Sequence, residues 1–113
     1  SSVPFMAAEL VREKLLRSFT DEIPHSITCY CTNIESKKDI INVYVDIIVD
    51  KQNLKKMIIG SSGEVLKRVG IQSRKDIEEM LGKKVYLELY VKVIENWKDK
   101  EKYLKDLGFL DNE

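Results

Sequence analysis

A short turn with two glycines is the stretch of the sequence that most resembles a ligand-binding site. The apolar run Met57-Ile58-Ile59 leads into Gly60-Ser61-Ser62-Gly63, and apolar residues then resume at helical spacing. Glycine allows positive φ and lets another backbone approach closely. A helix that begins behind such a turn presents unpaired amide N–H groups and the positive end of its dipole to an anion. The turn therefore predicts a phosphate-binding site, and a plain helix-turn-helix connection is the alternative.

The charge distribution favours the phosphate site. The 113 residues carry 19 basic and 19 acidic side chains, so the formal net charge is zero. Between Lys51 and Lys75, however, seven basic residues face one acidic residue, Glu64, which makes this window +6 and the rest of the chain −6. Such an asymmetry is typical of a phosphate-contacting face on an acidic body. Lysines that are merely solvated on helix surfaces are the alternative.

Other catalytic chemistry has little support in the sequence. Cys29 and Cys31 stand two residues apart without a third cysteine, which makes neither a zinc site nor a disulfide framework and predicts buried free thiols in a reducing compartment. His25 is the only histidine, and its position after a proline, without a paired base, favours a structural role or a ligand contact over catalysis. The carboxylates are interleaved with basic residues as surface ion pairs, for example Glu9 and Glu13 with Arg12. We therefore expect no enzyme activity, no metal and no cofactor.

Length and composition indicate one small globular domain. A chain of 113 residues with 43% hydrophobic and 34% charged residues can bury a core without disulfides. No apolar run is long enough to span a membrane and no signal peptide is visible, so a cytoplasmic location is expected. Residues 1–5 are interpreted as linker or a cloning remnant, and residues 6–113 as the domain with a C-terminal helix.

Apolar periodicity predicts the elements that must position the turn. Helical spacing covers residues 6–19, 51–58 and 63–81, and alternation covers strands at 25–33, 41–49 and 83–94, the first two forming a hairpin. The short helix is expected to bury Leu54, Met57 and Ile58. Gly70 inside the long helix favours close packing. These elements predict an α+β fold, a three-stranded mixed sheet with helices packed on one face in the order α-β-β-α-α-β-α.

Residue types near the helix ends predict how each helix is capped. Asp50 would cap the short helix, Ser61 with Glu64 would form a capping box for the long helix, and Gly82 would end it. Asn96 would cap a terminal helix that contains Trp97 and ends at Gly108.

The order of elements around Ile58-Ile59-Gly60-x-x-Gly63 resembles the type II KH domain. The likeness is closest to the C-terminal domain of the bacterial Era GTPase family, and it extends over nearly the whole chain. The segments that carry it are Ala7 to Lys14, Glu22 to Ser26, Arg74 to Glu78, Lys84 to Val93, Trp97, and Leu107 to Phe109.

The resemblance implies an RNA-binding domain separated from its GTPase domain. That family couples GTP hydrolysis to maturation of the small ribosomal subunit and binds single-stranded RNA at the 3′ end of 16S rRNA. The expected partners are therefore this RNA, the small ribosomal subunit and the missing N-terminal GTPase domain, without a small-molecule substrate. The chain has no Gly-x-x-x-x-Gly-Lys-Ser/Thr loop, so it should neither bind nor hydrolyse GTP. For the parent family, peripheral association with the inner membrane is an alternative location.

KH domains clamp about four nucleotides, with the glycine turn on the backbone and the bases over an apolar groove. Many KH turns have a basic residue between the glycines, whereas this turn has two serines, so flanking lysines would supply the charge. Ile59 is the best candidate for base contact, while Ile58 and Leu66 are more simply explained as core. The residues expected to bind RNA are Lys55, Lys56, Ile59, Gly60, Ser61, Ser62, Gly63, Glu64, Lys67, Arg74 and Lys75.

Two other functions remain open at this point. The KH fold could serve as a protein-docking module for the GTPase domain or for ribosomal proteins. The glycine turn could also hold the phosphate of a small substrate in an enzyme, although no catalytic set of residues accompanies it.

Overall fold

The fold is α+β and is described here from a computed structural model for residues 2–19 and 26–102. The elements in chain order are α1 (Val3–Ser18), β1 (Ile27–Ser36), β2 (Ile41–Val49), α2 (Gln52–Ile59), α3 (Glu64–Leu81) and β3 (Val85–Val93), with 3-10 turns at Ser61–Gly63 and Trp97–Lys100. The predicted fold class is confirmed. Predictions for residues 20–25, including His25, and for residues 103–113, including the end of the predicted terminal helix at Gly108, lie outside the described residues.

A mixed sheet with the spatial order β1-β2-β3 forms the centre of the domain. Strands β1 and β2 are antiparallel and β2 and β3 are parallel. Successive side chains of a strand point to opposite faces of the sheet. Val43, Val45 and Ile47 of β2 are buried on the face that the helices cover. Strand β2 is buried on this face because α1 and α2 pack on it, while α3 packs on α1 and on β3.

Strand β1 extends three residues beyond its predicted end at Asn33. The pairing register shifts between Cys31 and Asn33, so Thr32 is the extra residue of a β-bulge. Because of this shift, Ile34 packs against the core after Cys31. The bulge breaks the alternation in the sequence, which is why the sequence predicted an early end.

Helix α1 begins at Val3, three residues before the predicted start at Met6. Ser2 caps it, since the Ser2 hydroxyl accepts a hydrogen bond from the Phe5 amide at 3.2 Å. Pro4 lies in the first turn, where a missing N–H costs nothing. Residues 3–5 are therefore helical.

Two of the predicted N-terminal helix caps are wrong. The N-cap of α2 is Lys51 and not Asp50, and no side chain caps this helix. Asn96 precedes the 3-10 turn Trp97–Lys100 with φ 56°, and its side chain makes no capping bond. Asn96 adopts the left-handed backbone that asparagine tolerates, so it redirects the chain after β3. Gly82, by contrast, ends α3 with φ 69° and donates its amide to Glu78 O at 2.8 Å, as predicted.

The sheet also carries a small apolar cluster on the face away from the helices. Tyr30, Ile48 and Trp97 are buried together, and Ile94 packs against them. Trp97 Nε1 donates a hydrogen bond to Ser26 O at 3.2 Å. The residues after β3 therefore fold back across the sheet, and the sequence-based picture of packing on a single face was incomplete.

A buried lysine joins α1 to α3. Lys14 is 5% exposed, and its ammonium donates hydrogen bonds to Asp76 and, at 2.7 Å, to Glu13. Burial lowers the pKa of Lys14, but these two hydrogen bonds outweigh burial and raise the net pKa. The hydrogen bonds from Lys14 lower the pKa of both Asp76 and Glu13. Glu13 also forms an ion pair with Arg17, at 3.5 Å.

Replacing Asp76 with asparagine should lower stability at neutral pH and flatten its acid dependence. A carboxylate whose pKa is lower in the folded state stabilises the fold above its unfolded pKa and loses that contribution as the pH falls through the folded pKa. Urea unfolding of wild type and Asp76→Asn at a series of pH values from about 6 down to about 2 measures the difference. Asp39→Asn, on an exposed loop, is the matched control. An Asp76→Asn variant with the full wild-type acid dependence would contradict this account.

Ser73 is a buried polar residue without compensation in the described structure. Its side chain is 0% exposed, and Oγ has no hydrogen-bond partner. Burying an unpaired hydroxyl costs about 1–3 kcal/mol. We therefore expect Ser73→Ala to raise the free energy of unfolding by about 1 kcal/mol in urea titrations. The exposed Gln72→Ala measures the helix-propensity gain alone, and a Ser73→Ala variant less stable than wild type would show that the hydroxyl is satisfied.

Candidate nucleic-acid interface

The glycine turn adopts a backbone that only a few residue types accept. Gly60 has φ 82° and ψ 176°, Ser62 has φ 55° and ψ 26°, and Gly63 has φ 74° and ψ 14°. The Gly60 amide closes α2 on Lys56 O at 2.9 Å, and the Gly63 amide donates to Gly60 O at 3.1 Å. The turn is thus fixed at both ends while its two serines are exposed.

The two glycines are needed for different reasons. A Cβ on Gly60 would lie 2.5 Å from Val65 Cγ2 and 3.0 Å from Val65 N, so the first turn of α3 occupies that space. A Cβ on Gly63 would meet nothing within 4 Å. The demand at Gly60 is therefore steric as well as conformational, and the demand at Gly63 is conformational only.

The predicted capping box does not form. The N-cap of α3 is Gly63, and no side chain caps this helix. Glu64 is the first helical residue and donates its amide to Ser61 O, so it stands too early to reach back as a capping-box residue. Without a side-chain cap, the amide groups at the start of α3 depend on backbone contacts and on groups outside the domain.

The Ser61 and Ser62 amides are the strongest donors for an external anion. Within the described residues, no hydrogen bond from either amide to another backbone group is found. Both residues are exposed, and both stand where the positive end of the α3 dipole points. Successive amides next to a left-handed residue form the concave arrangement that binds anions in many proteins.

Three of the predicted lysines flank this turn. Lys55 lies in the middle of α2, Lys56 lies in its last turn, and Lys67 lies in the first turn of α3. Lys56 and Lys67 are exposed, and Lys55 is half-buried. Arg68 is also exposed beside Lys67, although the sequence-based site left it out. Its position four residues after Glu64 on the same helix was the available signal.

Arg74 and Lys75 are not part of the turn. A rise of 1.5 Å per residue places them about 15–20 Å from Gly63 along α3. Arg74 Nη1 donates to Glu78 Oε2 at 3.0 Å, and the same oxygen accepts the Val85 amide at 2.9 Å. Lys75 lines a cavity of about 350 Å³ with Lys14 and Asp76, between α1 and α3. These two cations could act only on a more distant part of a long ligand.

The aliphatic residues before the turn divide between core and surface. Ile58 is 0% exposed and belongs to the core, as the simpler explanation held. Ile59, Val65 and Leu66 are half-buried and pack at the edge of the core. Met57 is 47% exposed, so its predicted burial was wrong. Leu54 and Ile58, four residues apart, form the face of α2 that packs on the core, and Met57 lies outside this face.

Strand β3 provides a further surface next to the turn helices. It is an edge strand of the sheet, because β2 is its only strand neighbour among the described residues. Both α2 and α3 contact β3, and a Cβ on Gly70 would lie 3.7 Å from Leu89 Cδ1, in ordinary van der Waals contact. Gly70 therefore lets α3 lie close to β3, which fits the packing role that the sequence favoured. The unpaired outer edge of β3 offers backbone donors and acceptors.

The two cysteines lie in the core and not on the surface. Cys29 and Cys31 are buried, and burial raises the pKa of both thiols, to about 11 for Cys31. Among the described residues, no group of three or more histidine, cysteine, aspartate or glutamate side chains is placed to hold a metal ion. In the ranges 2–19 and 26–102, no helix has the length and hydropathy needed to cross a membrane.

Comparison with protein families gives a match over more than half of the chain. The family model described as the KH domain matches residues 22–98, which contain β1, β2, α2, the turn, α3 and β3.

The chain is also similar to curated proteins named GTPase Era. It is 43% identical over 104 residues to the protein of Fusobacterium nucleatum and 42% identical over 110 residues to that of Vibrio vulnificus. These alignments cover 91% and 96% of the chain but only 35% and 34% of the relatives, at their C-terminal part. The chain thus spans about a third of the length of these relatives.

Solved structures of Era have the same fold. A variant of Aquifex aeolicus Era bound to GDP and AlF4⁻ superposes with a TM-score of 0.85 at 37% identity. Era in complex with MgGDPNP and nucleotides 1506–1542 of 16S ribosomal RNA superposes with a TM-score of 0.86, also at 37% identity. In both cases the match covers 93% of this chain and 36% of the other.

Proposed function

The chain belongs to the KH domain family, and we propose on that premise that it binds single-stranded RNA at the glycine turn. The proposed target is the 3′ end of 16S rRNA in the small ribosomal subunit, the RNA named with the similar Era structure. The observation that carries the proposal is the exposed Gly60–Gly63 turn, whose left-handed backbone stands at the start of α3 between lysines.

The turn would hold the RNA backbone through amides rather than through a side-chain cation. The exposed amides of Ser61 and Ser62 donate to phosphate oxygens, and the serine hydroxyls supply further donors. Lys56 and Lys67 then provide a salt-dependent and largely sequence-independent share of the affinity. Because the cations flank the turn instead of occupying it, the backbone geometry is the more critical part of the clamp.

Bases would lie over the half-buried aliphatic surface next to the turn. Ile59, Val65 and Leu66 supply apolar contact, and the outer edge of β3 supplies backbone donors and acceptors for base edges. Single-stranded bases are unstacked and can be read in this way, whereas the deep groove of duplex RNA cannot. Arg74 and Lys75 would contact a neighbouring part of the RNA if the bound segment extends along α3.

The wider role proposed for the chain follows from its share of the relatives. It would be the RNA-binding part of an Era-like GTPase, with GTP hydrolysis carried out by an N-terminal domain outside this chain. The chain itself would have no catalytic activity, no cofactor and no small-molecule substrate. A cytoplasmic location, where small ribosomal subunits are assembled, would suit this role.

Substitution of Gly63 offers a sharp test of the clamp. Aspartate and asparagine are alike in size and tolerate the left-handed backbone, and a side chain at Gly63 meets no neighbour. The two variants therefore differ mainly by one negative charge beside the phosphate. We expect Gly63→Asp to bind RNA roughly five- to tenfold more weakly than Gly63→Asn, since like charges about 4 Å apart repel by ~1 kcal/mol even in water.

The measurement is fluorescence anisotropy with a short RNA copying the 16S 3′ end and a scrambled RNA, each at two salt concentrations. Circular dichroism checks that both variants are folded. Equal affinities of the two variants for RNA would show that no phosphate is bound at the turn. Equal binding of both RNAs would leave only general electrostatic attraction.

A further inference from the structure

Three tyrosines occupy the sheet face opposite the helices. The residues of β2 and β3 that alternate with the core residues point to this side, among them Tyr44, Tyr86 and Tyr90. Tyr86 is 46% and Tyr90 57% exposed. Large exposed aromatic side chains are costly to leave in water, and the RNA site on the helix-covered side of the sheet does not use them.

Two of these rings form a compact group with two carboxylates. The Tyr44 and Tyr86 rings meet edge to face, with centroids 6.3 Å apart at 66°. The Tyr86 hydroxyl donates to Glu88 Oε1 at 2.8 Å, and the Tyr44 hydroxyl donates to Glu35 Oε1 at 3.2 Å. Tyr44 and Glu88 are also direct partners in the β2–β3 register. The four side chains thus form one cluster of π faces and negative charge.

Both carboxylates keep capacity for a cation. The ion pairs found among the described residues involve neither Glu35 nor Glu88. Each carboxylate has a second oxygen and further lone pairs after accepting the tyrosine hydroxyl. The hydrogen bond to Glu88 and its charge raise the pKa of Tyr86, which reports the negative potential at this cluster.

The same face shows how such a group holds a cation. Lys92 Nζ lies 5.8 Å from the centroid of the Tyr90 ring and 3.3 Å from Asp46 Oδ2. A ring face and a carboxylate therefore share one ammonium group in the register positions next to the Tyr44 and Tyr86 cluster. The cluster offers the same pair of contacts, and no ion pair among the described residues brings a lysine to its carboxylates.

We propose that Tyr44, Tyr86, Glu35 and Glu88 form a docking site for an arginine side chain of a protein partner. A planar guanidinium stacks on an aromatic ring and at the same time donates two parallel hydrogen bonds to a carboxylate. An ammonium group is a compact, strongly hydrated point charge, so it can lie near a ring and a carboxylate but cannot stack flat on the ring or donate two parallel hydrogen bonds to one carboxylate. RNA is disfavoured as the occupant, because the carboxylates repel phosphate. The domain would then hold RNA on one side and a basic protein segment on the other.

The test uses the full chain labelled with ¹⁵N and a capped peptide with two arginines separated by one glycine. Heteronuclear NMR titration should shift amides of β2 and β3 around the cluster, and the same peptide with lysines should bind more weakly. Loss of the ring in Tyr86→Ala should weaken arginine-peptide binding about two- to fivefold. Glu88→Gln, which keeps the size of the side chain and its acceptor oxygen, should weaken binding by a similar factor.

Two variants serve as controls. Tyr90→Ala removes an exposed ring outside the cluster, and Glu79→Gln removes an exposed carboxylate on the helix side. Neither should change arginine-peptide binding. The inference is overturned if Tyr86→Ala and Glu88→Gln bind the peptide like wild type, or if the peptide shifts only residues outside the sheet face. It is also overturned if a single-stranded RNA, and not the peptide, shifts the tyrosine face. None of these outcomes depends on RNA binding at the glycine turn.

Discussion

Replacing Trp97 with alanine should lower the free energy of unfolding by about 3 kcal/mol or more. Trp97 is 6% exposed and covers Tyr30 and Ile48 on the sheet face away from the helices. Its removal opens a cavity and leaves Ser26 O without the indole donor at 3.2 Å. Urea unfolding followed by far-UV circular dichroism measures the loss.

Two further variants separate packing from the hydrogen bond. Trp97→Phe keeps much of the apolar surface but not the N–H, so we expect its loss of stability to be smaller than that of Trp97→Ala. Asp99→Ala, exposed in the same 3-10 turn, should leave stability nearly unchanged. A Trp97→Ala variant as stable as Asp99→Ala would show that this cluster does not contribute to the fold.

Replacing Gly60 with alanine should both destabilise the domain and abolish tight RNA binding. The backbone of Gly60, with φ 82° and ψ 176°, lies in a region that is essentially restricted to glycine and costs other residues about 1–3 kcal/mol. The added Cβ would also lie 2.5 Å from Val65 Cγ2, so α3 must shift at the residues that aim the turn amides. Urea unfolding and RNA anisotropy measure the two losses.

Gly63→Ala is the matched control for Gly60→Ala. It meets no neighbour and pays only for the left-handed backbone, about 1–2 kcal/mol. The Gly60→Ala loss should therefore exceed the Gly63→Ala loss. The reverse order would contradict the contact between Gly60 and Val65. A Gly60→Ala variant that is folded and binds RNA normally would contradict the proposed clamp.

Periodicity in the sequence was enough to predict the elements. Helix α3 at Glu64–Leu81 begins one residue from its predicted start, and β3 at Val85–Val93 lies inside its predicted range. The agreement arises because alternate residues of a strand, and every third or fourth residue of a helix, must be apolar to face one core. The buried residues Val43, Val69 and Ile77 all follow these two spacings.

Helix ends were predicted less well than helix interiors. Asp50, Asn96 and the pair of Ser61 with Glu64 have the right residue types for caps, yet none of them makes a capping bond. A cap depends on backbone dihedrals outside the helix, and sequence spacing does not specify those dihedrals. In place of a side-chain cap, residues with a left-handed backbone in the Gly60–Gly63 turn precede α3.

The candidate site shows the same division. The glycine spacing and the local excess of lysine identified the turn, and the fold presents Lys56 and Lys67 beside it. Arg74 and Lys75 belong to the same basic stretch of the sequence but lie farther along α3. There Arg74 is paired with Glu78, and Lys75 faces α1. A count of charged residues along the sequence does not show where their side chains lie, because a helix places successive residues on different turns and different faces.

The fold class, the strand and helix interiors and the location of the glycine turn were predictable because each depends on a local pattern of residue types. The contacts between elements became visible only in the folded domain. The hydrogen bond of Lys14 to Asp76 links α1 to α3, and the packing of Trp97 on Tyr30 links the 3-10 turn after β3 to β1. The close approach of Val65 to Gly60 depends on how α2 and α3 meet. The tyrosine cluster likewise exists because the parallel register brings Tyr44 next to Glu88. Such contacts depend on packing between distant segments, and no spacing within one segment encodes them.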